Sequence, residues 1–170
     1  MEDTIKEHDE FTRKAGEVLS IALHIETTLE FFISNYFVKP QNAKTHFFND
    51  IFMIKSTFER KLQIFSEICK REKFNHKKIE GVIKSIRFVQ ETRNKVAHWQ
   101  AEKMFDKPLR LRKRTTYTTK NDILELNNSL LNKLDKERLN AIRGIEDFYQ
   151  KYYKDGTIDE NPKKFLEVVK

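Results

Sequence analysis

Apolar side chains recur at alternating spacings of three and four residues along the first part of the chain. The positions are Phe11, Ala15, Val18, Ala22, Ile25, Leu29, Phe32 and Tyr36. Because this spacing puts side chains on one stripe of an α-helix, it predicts a helix from about residue 9 to residue 38. Pro40 disfavours helical geometry at the residue before it, so the chain should turn near Val38 and Lys39.

Two further stripes with the same period follow. The second predicts a helix that ends near Arg71, and it consists of Phe48, Ile51, Phe58, Leu62, Phe65 and Cys69. After a polar break at residues 72–76, the third stripe predicts a helix from about residue 76 to residue 98. Its members are Ile79, Val82, Ile86, Val89, Arg93 and Val96. One member of this third apolar stripe is therefore an arginine.

The helical period is lost from Trp99 to Lys120, where alternating leucines and arginines precede the β-favouring run TTYTT. This pattern indicates a hairpin or an irregular excursion. Helical spacing resumes at Ile123, Leu126, Leu130, Leu134, Ala141, Ile145, Phe148 and Tyr152. A phase slip near residues 135–138 leaves open whether this is one bent helix or two. Asn161 and Pro162 suit the start of a short terminal helix.

Composition agrees with an all-α fold, because the chain holds only 4 Gly and 3 Pro, whereas sandwiches and barrels need many turn residues. We predict an up-and-down bundle of four to five long helices, with a short β-hairpin or irregular insertion after the third. The bundle should comprise residues 1–153, with a basic insertion at 99–120. Residues 154–170 should form a C-terminal extension with a short helix.

Charge and cysteine content indicate the kind of partner and the cellular compartment. The chain has 33 Lys and Arg against 26 Asp and Glu, a net charge of +7, which suits a polyanionic partner or simply a solvated surface. Cys69 is the single cysteine and lies on an apolar stripe, so we expect a reduced core thiol and no internal disulfide. No long apolar run and no signal-peptide pattern is present, which favours a cytoplasmic protein without membrane contact.

Arg93 is the most informative residue of the third stripe. Burying a guanidinium costs several kcal/mol unless it is paired or kept wet in a cleft, so packing alone would favour Leu or Ile at this position. One interpretation is structural: Arg93 pairs with a buried acid such as Glu26 or Glu30, and His98 only caps the helix end. The other interpretation is that the guanidinium meets an anionic ligand.

The sequence around this arginine is ETRNKVAHW, which places Asn94 directly after Arg93 and His98 after three further residues. This resembles the R-[polar]-x-x-x-H signature of HEPN domains, helical bundles that often act as RNA endonucleases. The helix order extends the resemblance more loosely over residues 9–153. Arg71 and His76 have the same interval, but they straddle a helix break and lack the amide, so we interpret them as solvated helix ends.

The resemblance implies a metal-independent endonuclease whose site is shared between two copies of the chain. On one helix, Asn94 and His98 lie about 40° apart, but Arg93 and His98 lie about 140° apart, so a partner subunit would help to complete the site. His98 can exchange a proton with the ribose 2′-OH or the leaving oxygen. Arg93 can hold the phosphate, and Asn94 has a supporting role. The expected product is a 2′,3′-cyclic phosphate, and DNA should resist.

The insertion after His98 is rich in cations and could grip the RNA backbone. The RNA-binding candidates are Lys107, Arg110, Arg112, Lys113, Arg114, Tyr117 and Trp99. The alternative for the basic strip is a solvated hairpin that protects a sheet edge. Trp99 could stack on a base, although packing against the bundle or a partner is the more usual role of such a residue.

No metal or nucleotide cofactor is expected. The other histidines lack companions at metal-ligand spacing, and no glycine-rich loop precedes a helix. The resemblance favours a toxin or antiphage effector that acts as a homodimer and is restrained by a protein or RNA antitoxin. The alternatives are a non-catalytic module that binds a nucleotide or a protein, and a purely structural helical adaptor.

Overall fold

A computed structural model of the protein describes residues 2–38, 47–102, 110–113 and 123–154. Four long helices form the bundle, which confirms the predicted all-α class. Helix α1 spans Glu2–Phe37, and its apolar stripe lies in the core, with Val18, Ile25 and Leu29 fully buried. None of the described helices is long and apolar enough to cross a membrane. Residues 155–170, with the predicted terminal helix, lie outside the described part.

The second predicted helix is divided into two pieces, which corrects the prediction of a single helix through Phe48 and Ile51. A π-helical turn covers Asn49–Met53, and helix α2 begins separately and spans Phe58–Arg71. Thr57 adopts an extended backbone, and its side chain accepts a hydrogen bond from the amide of Arg60 at 3.2 Å. This cap starts a new helix, which the apolar period alone could not reveal.

Helix α3 spans His76–His98, the bounds that the sequence predicts. The Asn75 side chain caps it by accepting a hydrogen bond from the amide of Lys78 at 3.2 Å. Lys73 takes a positive φ of 52° in the tight turn that joins α2 to α3. Cys69 at the end of α2 is fully buried, and this burial raises the pKa of its thiol to about 12. The thiol therefore stays protonated in the core, as its stripe position indicates.

A small antiparallel sheet with strand order β1-β2-β3 occupies the predicted insertion. Its strands are β1 (Gln100–Glu102), β2 (Arg110–Arg112) and β3 (Ile123–Glu125). Ile123 pairs with Arg112 in the sheet, so the prediction that it begins the last helix is wrong. Asn127 caps helix α4 instead, accepting a hydrogen bond from the amide of Leu130 at 2.9 Å. Helix α4 spans Asn128–Lys154 and is a single helix.

The helices do not simply alternate in direction. Lys61 of α2 contacts Glu26 of α1, and Tyr36 near the end of α1 donates a 2.5 Å hydrogen bond to Glu72 after the end of α2. Helices α1 and α2 therefore run in parallel. Helix α3 is antiparallel to α2, because Gln90 late in α3 contacts Glu59 at the start of α2. It is also antiparallel to α4, because Ser85 contacts Glu137 and the earlier Lys78 contacts the later Asp147.

Helices α3 and α4 approach each other closely at Gly144. A Cβ atom added there would lie 2.1 Å from Cγ2 of Val82. We expect Gly144→Ala to lower the free energy of unfolding by about 1–3 kcal/mol, because the overpacked helices must separate. Gly81→Ala is the matched control, since a Cβ at this exposed helical site meets nothing within 4 Å. The control should gain up to about 1 kcal/mol in urea unfolding, and equal stability of both variants would contradict the close approach.

Candidate functional site

Arg93, Asn94 and His98 lie in the last turns of α3, and all three are exposed. Nη1 of Arg93 donates a hydrogen bond to Oδ1 of Asn94 at 3.1 Å. The stripe neighbours Val89 and Val96 are buried, with 0% and 9% exposure. The expectation that Arg93 lies along the apolar stripe thus holds for its helical position, but its side chain is at the surface and not in the core.

The start of α2 explains this exposure. Arg93 points within about 20° of the direction of Ile86, which is fully buried two turns earlier. Glu59, the second residue of α2, accepts a hydrogen bond from Nε2 of Gln90 at 3.3 Å. Because α2 and α3 are antiparallel, α2 begins at this level and α3 continues for about two more turns beyond it. Arg93 lies on this extension, where α2 no longer covers the stripe.

Glu26 and Glu30, the acids named as possible buried partners of Arg93, bind a different cation. Glu26 and Glu30 both bind Lys61, whose Nζ lies 2.6 Å and 2.5 Å from their carboxylate oxygens. Lys61 is only 2% exposed, so the buried cation that these two acids neutralise is Lys61. Arg93 remains directed to solvent beside Asn94, in a position to meet an anion.

His98 is the last residue of α3. Trp99 leaves the helix with an extended backbone, and its amide still donates to the carbonyl of Lys95 at 2.9 Å. Asn94 accepts its hydrogen bond from Arg93, the residue before it. Asn94 and His98 share one outward helix face, and Arg93 diverges from His98 by about 140°. The helix therefore presents the guanidinium and the imidazole on different sides of its exposed end.

Among the described residues of the basic insertion, one arginine is paired within the sheet. Arg110 is half-buried, and its Nε and Nη2 both donate to Oε1 of Glu125, at 3.0 Å and 2.6 Å. This pairing joins β2 to β3 and favours a sheet role for Arg110. Arg112 is half-buried and Lys113 is exposed. The other insertion candidates, Lys107, Arg114 and Tyr117, lie outside the described residues.

Trp99 is half-buried and packs against the hydrophobic core. The Nζ atom of Lys95 lies 5.3 Å from the centroid of its ring. The sequence reasoning did not single out Lys95, although its position one turn before Trp99 is a readable signal for a contact on a helix. The competing pair, Arg71 and His76, is exposed at the junction of α2 and α3, in keeping with its interpretation as solvated helix ends.

No family model matches the sequence, and no curated protein or solved structure shows significant similarity to it. The resemblance to HEPN domains therefore rests on the Arg93, Asn94 and His98 motif and on the order of the helices.

Proposed function

We propose that this protein is a metal-independent RNA endonuclease of the HEPN type. The observation that supports the proposal best is the exposure of Arg93, Asn94 and His98 together at an uncovered helix end. The core does not use these side chains, and the acids that could have neutralised Arg93 are engaged by Lys61. A guanidinium and an imidazole that are both exposed at one helix end are groups that suit a phosphodiester substrate.

The proposed chemistry needs a base and a source of protons. His98 takes the proton from the ribose 2′-OH as this oxygen attacks the adjacent phosphorus, the bond to the 5′-oxygen breaks, and the leaving 5′-oxygen takes a proton from the protonated His98 of a second copy of the chain or from water. Arg93 neutralises the charge that grows on the phosphoryl oxygens, and its forked donors fit two of them at once. Asn94 holds the guanidinium through its 3.1 Å hydrogen bond. The products carry a 2′,3′-cyclic phosphate and a 5′-hydroxyl.

A second copy of the chain completes the site in this proposal. Within one subunit, Arg93 and His98 diverge by about 140°, so two subunits are needed to direct all of these groups at one phosphate. An apolar surface is available near this end of the bundle. Leu19 and Leu23 are 41% and 62% exposed on the part of α1 that extends past the start of α2. Burying such side chains against a partner is favourable, which supports a homodimer.

The biological role proposed for this nuclease is that of a toxin or antiphage effector in the cytoplasm. A nuclease that cuts the RNA of its own cell requires restraint, so an antitoxin of protein or RNA is part of the proposal. The net charge of +7 is compatible with an RNA substrate.

Incubation of the purified protein with RNA in excess EDTA tests the function. We expect fragments with 2′,3′-cyclic phosphate ends, and no cleavage of an RNA in which 2′-deoxy sugars replace the ribose at the cut sites. The solution mass of the same preparation should correspond to a dimer. Cleavage of the 2′-deoxy substrate, or loss of all cleavage in EDTA, would rule out the proposed chemistry.

The second candidate is a non-catalytic module that binds nucleotides or proteins, with Arg93 as an anion clamp. The hydrogen bond from Arg93 to Asn94 favours this module, because the Asn94 side chain supports the guanidinium of Arg93 and not the imidazole of His98. A protein that binds RNA or a nucleotide through Arg93 but leaves RNA intact would establish this alternative.

A further inference from the structure

Two aromatic rings, Phe88 on α3 and Trp99 directly after it, each carry a lysine over one face. Nζ of Lys133 lies 4.5 Å from the centroid of Phe88, and Nζ of Lys95 lies 5.3 Å from the centroid of Trp99. Both rings are half-buried, with one part packed on the core and the other at the surface. We call these four residues, Phe88, Lys95, Trp99 and Lys133, the lysine–aromatic strip.

The strip lies along one edge of the bundle, where α3 meets α4. Phe88, Lys95 and Trp99 point within about 40° of each other around α3. Ser85 donates a 2.6 Å hydrogen bond to Glu137, which fixes α4 beside this edge. Lys133 precedes Glu137 by one turn on α4 and so reaches Phe88 across the helix junction. The distance from Phe88 to Trp99 along the axis is about 16 Å.

Rings with adjacent cations are what a single-stranded nucleic acid requires. Its bases stack on aromatic faces, and its phosphates are neutralised by lysines at the side. At about 3.4 Å per stacked nucleotide, the strip accommodates roughly five nucleotides. Lys84 and Lys136 are exposed beside it, and the acids along this edge are Glu91 on the outer face of α3 and Glu137, which accepts the hydrogen bond from Ser85. Cations therefore outnumber acids along this edge, which favours a polyanion over an acidic or neutral protein surface.

We propose that the lysine–aromatic strip is the docking site for single-stranded RNA on this protein. This inference rests on the proposed function for its substrate class. Trp99 directly follows His98 in the chain, so a strand stacked on Trp99 continues towards the imidazole. On binding, Lys95 and Lys133 move from the ring faces to phosphates, and bases take their place on the rings. The sheet arginines of β2 are then not required for substrate affinity.

The single tryptophan of the chain gives a direct measurement, because Trp99 is the only source of indole fluorescence. The protein used is the full chain with His98→Ala, which binds without cutting, and the probe is a short oligouridylate. We expect the RNA to quench Trp99 fluorescence on binding. Replacing both strip lysines, Lys95→Ala with Lys133→Ala, should weaken binding about tenfold. It should also reduce the salt slope of log K by about 1.4, at about 0.7 per lost phosphate contact on a single strand.

Two comparisons make this result specific. Lys55→Ala with Lys70→Ala removes the same charge from exposed positions outside the strip, and this control should keep the affinity and the salt slope of the parent. Phe88→Leu preserves an apolar side chain but removes the ring, so it should weaken binding without changing the salt slope. If the strip variants bind RNA as the control does, the docking proposal is overturned. It is equally overturned if they alter only the solution mass, because the strip is then a contact between copies.

Cleavage by the protein with an intact His98 is measured separately. Weaker RNA binding by the strip variants, with no cleavage by the intact protein, would leave the docking site standing and remove the nuclease. Cleavage by the intact protein that the strip variants match in rate at low RNA concentration would do the reverse. The two proposals can therefore fail independently.

Discussion

His98→Ala is expected to reduce the rate of RNA cleavage by about three orders of magnitude. A positioned general acid or base contributes about 10²–10⁴-fold to such a reaction, and alanine cannot exchange the proton. The side chain is exposed at the end of α3, so its removal leaves no cavity in the core. The expected result is a folded protein that binds RNA and does not cut it, measured by the appearance of cyclic-phosphate fragments in EDTA.

His76→Ala is the matched control for this experiment. His76 is also exposed at a helix end and follows an arginine at the same interval. Unlike His98, it has Nδ1 3.5 Å from Oε1 of Glu80, and its arginine, Arg71, is not followed by a residue with an amide side chain. We expect cleavage by this variant to equal that of the wild type. Activity that survives His98→Ala unchanged would identify a contaminating nuclease, or would move the chemistry away from α3.

Lys61→Met is expected to cause the largest loss of stability, about 3 kcal/mol. Lys61 is 2% exposed, and Nζ binds Glu26 and Glu30 at 2.6 Å and 2.5 Å. Removing one partner of a buried ionic group costs about 3–5 kcal/mol, because the remaining charges are left unpaired. We choose the lower end, since the two carboxylates keep 25% and 19% exposure and water can reach them. Urea unfolding followed by circular dichroism measures the effect.

Two variants test the cause of this loss. Lys70→Met removes an exposed lysine whose bond to Glu67 is solvated at both ends, so it should change stability by less than about 0.5 kcal/mol. Adding Glu26→Gln and Glu30→Gln to Lys61→Met removes the unpaired charges and should recover much of the stability. A triple variant no more stable than Lys61→Met would show that packing, and not charge, dominates at this position.

The contribution of Lys61 to the free energy of unfolding depends on pH in one direction. Burial alone lowers the pKa of Lys61, but its hydrogen bonds to Glu26 and Glu30 outweigh this effect and raise the pKa above the ordinary lysine value. A group with a raised folded-state pKa stabilises the fold fully below its unfolded pKa. The contribution of Lys61 is therefore present at neutral pH and is lost only as the pH rises through the folded-state value.

Local signals were sufficient for part of the fold. The bounds of α3 could be predicted because its apolar stripe and the polar break at residues 72–76 are both local to the chain. The structure adds the Asn75 cap at its start. The break before α2 could not, because the stripe continues in phase through Phe58, and only the extended backbone of Thr57 interrupts it. The short run that begins at Ile123 could not be assigned from its pattern, because an apolar run of three residues suits a strand and a helix start equally.

For the candidate site, too, the sequence identified the residues but not their surroundings. The sequence identified Arg93, Asn94 and His98 from their spacing, and it detected that an arginine occupied an apolar stripe. It could not show that Arg93 is exposed, because this depends on where α2 begins beside Gln90. Nor could it show that Lys61 engages the acids considered as partners of Arg93, since the parallel packing of α1 and α2 creates this contact.

The sequence by itself determined the helical class, the bounds of α3 and the residues of the motif, because these depend on the period of neighbouring side chains and on local caps. The tertiary structure decided which side chains of a stripe are covered and which lysine lies over which ring. Lys133 and Phe88 are far apart in sequence and meet only through the register of α3 against α4. Such contacts depend on the relative placement of whole helices, which no local pattern encodes.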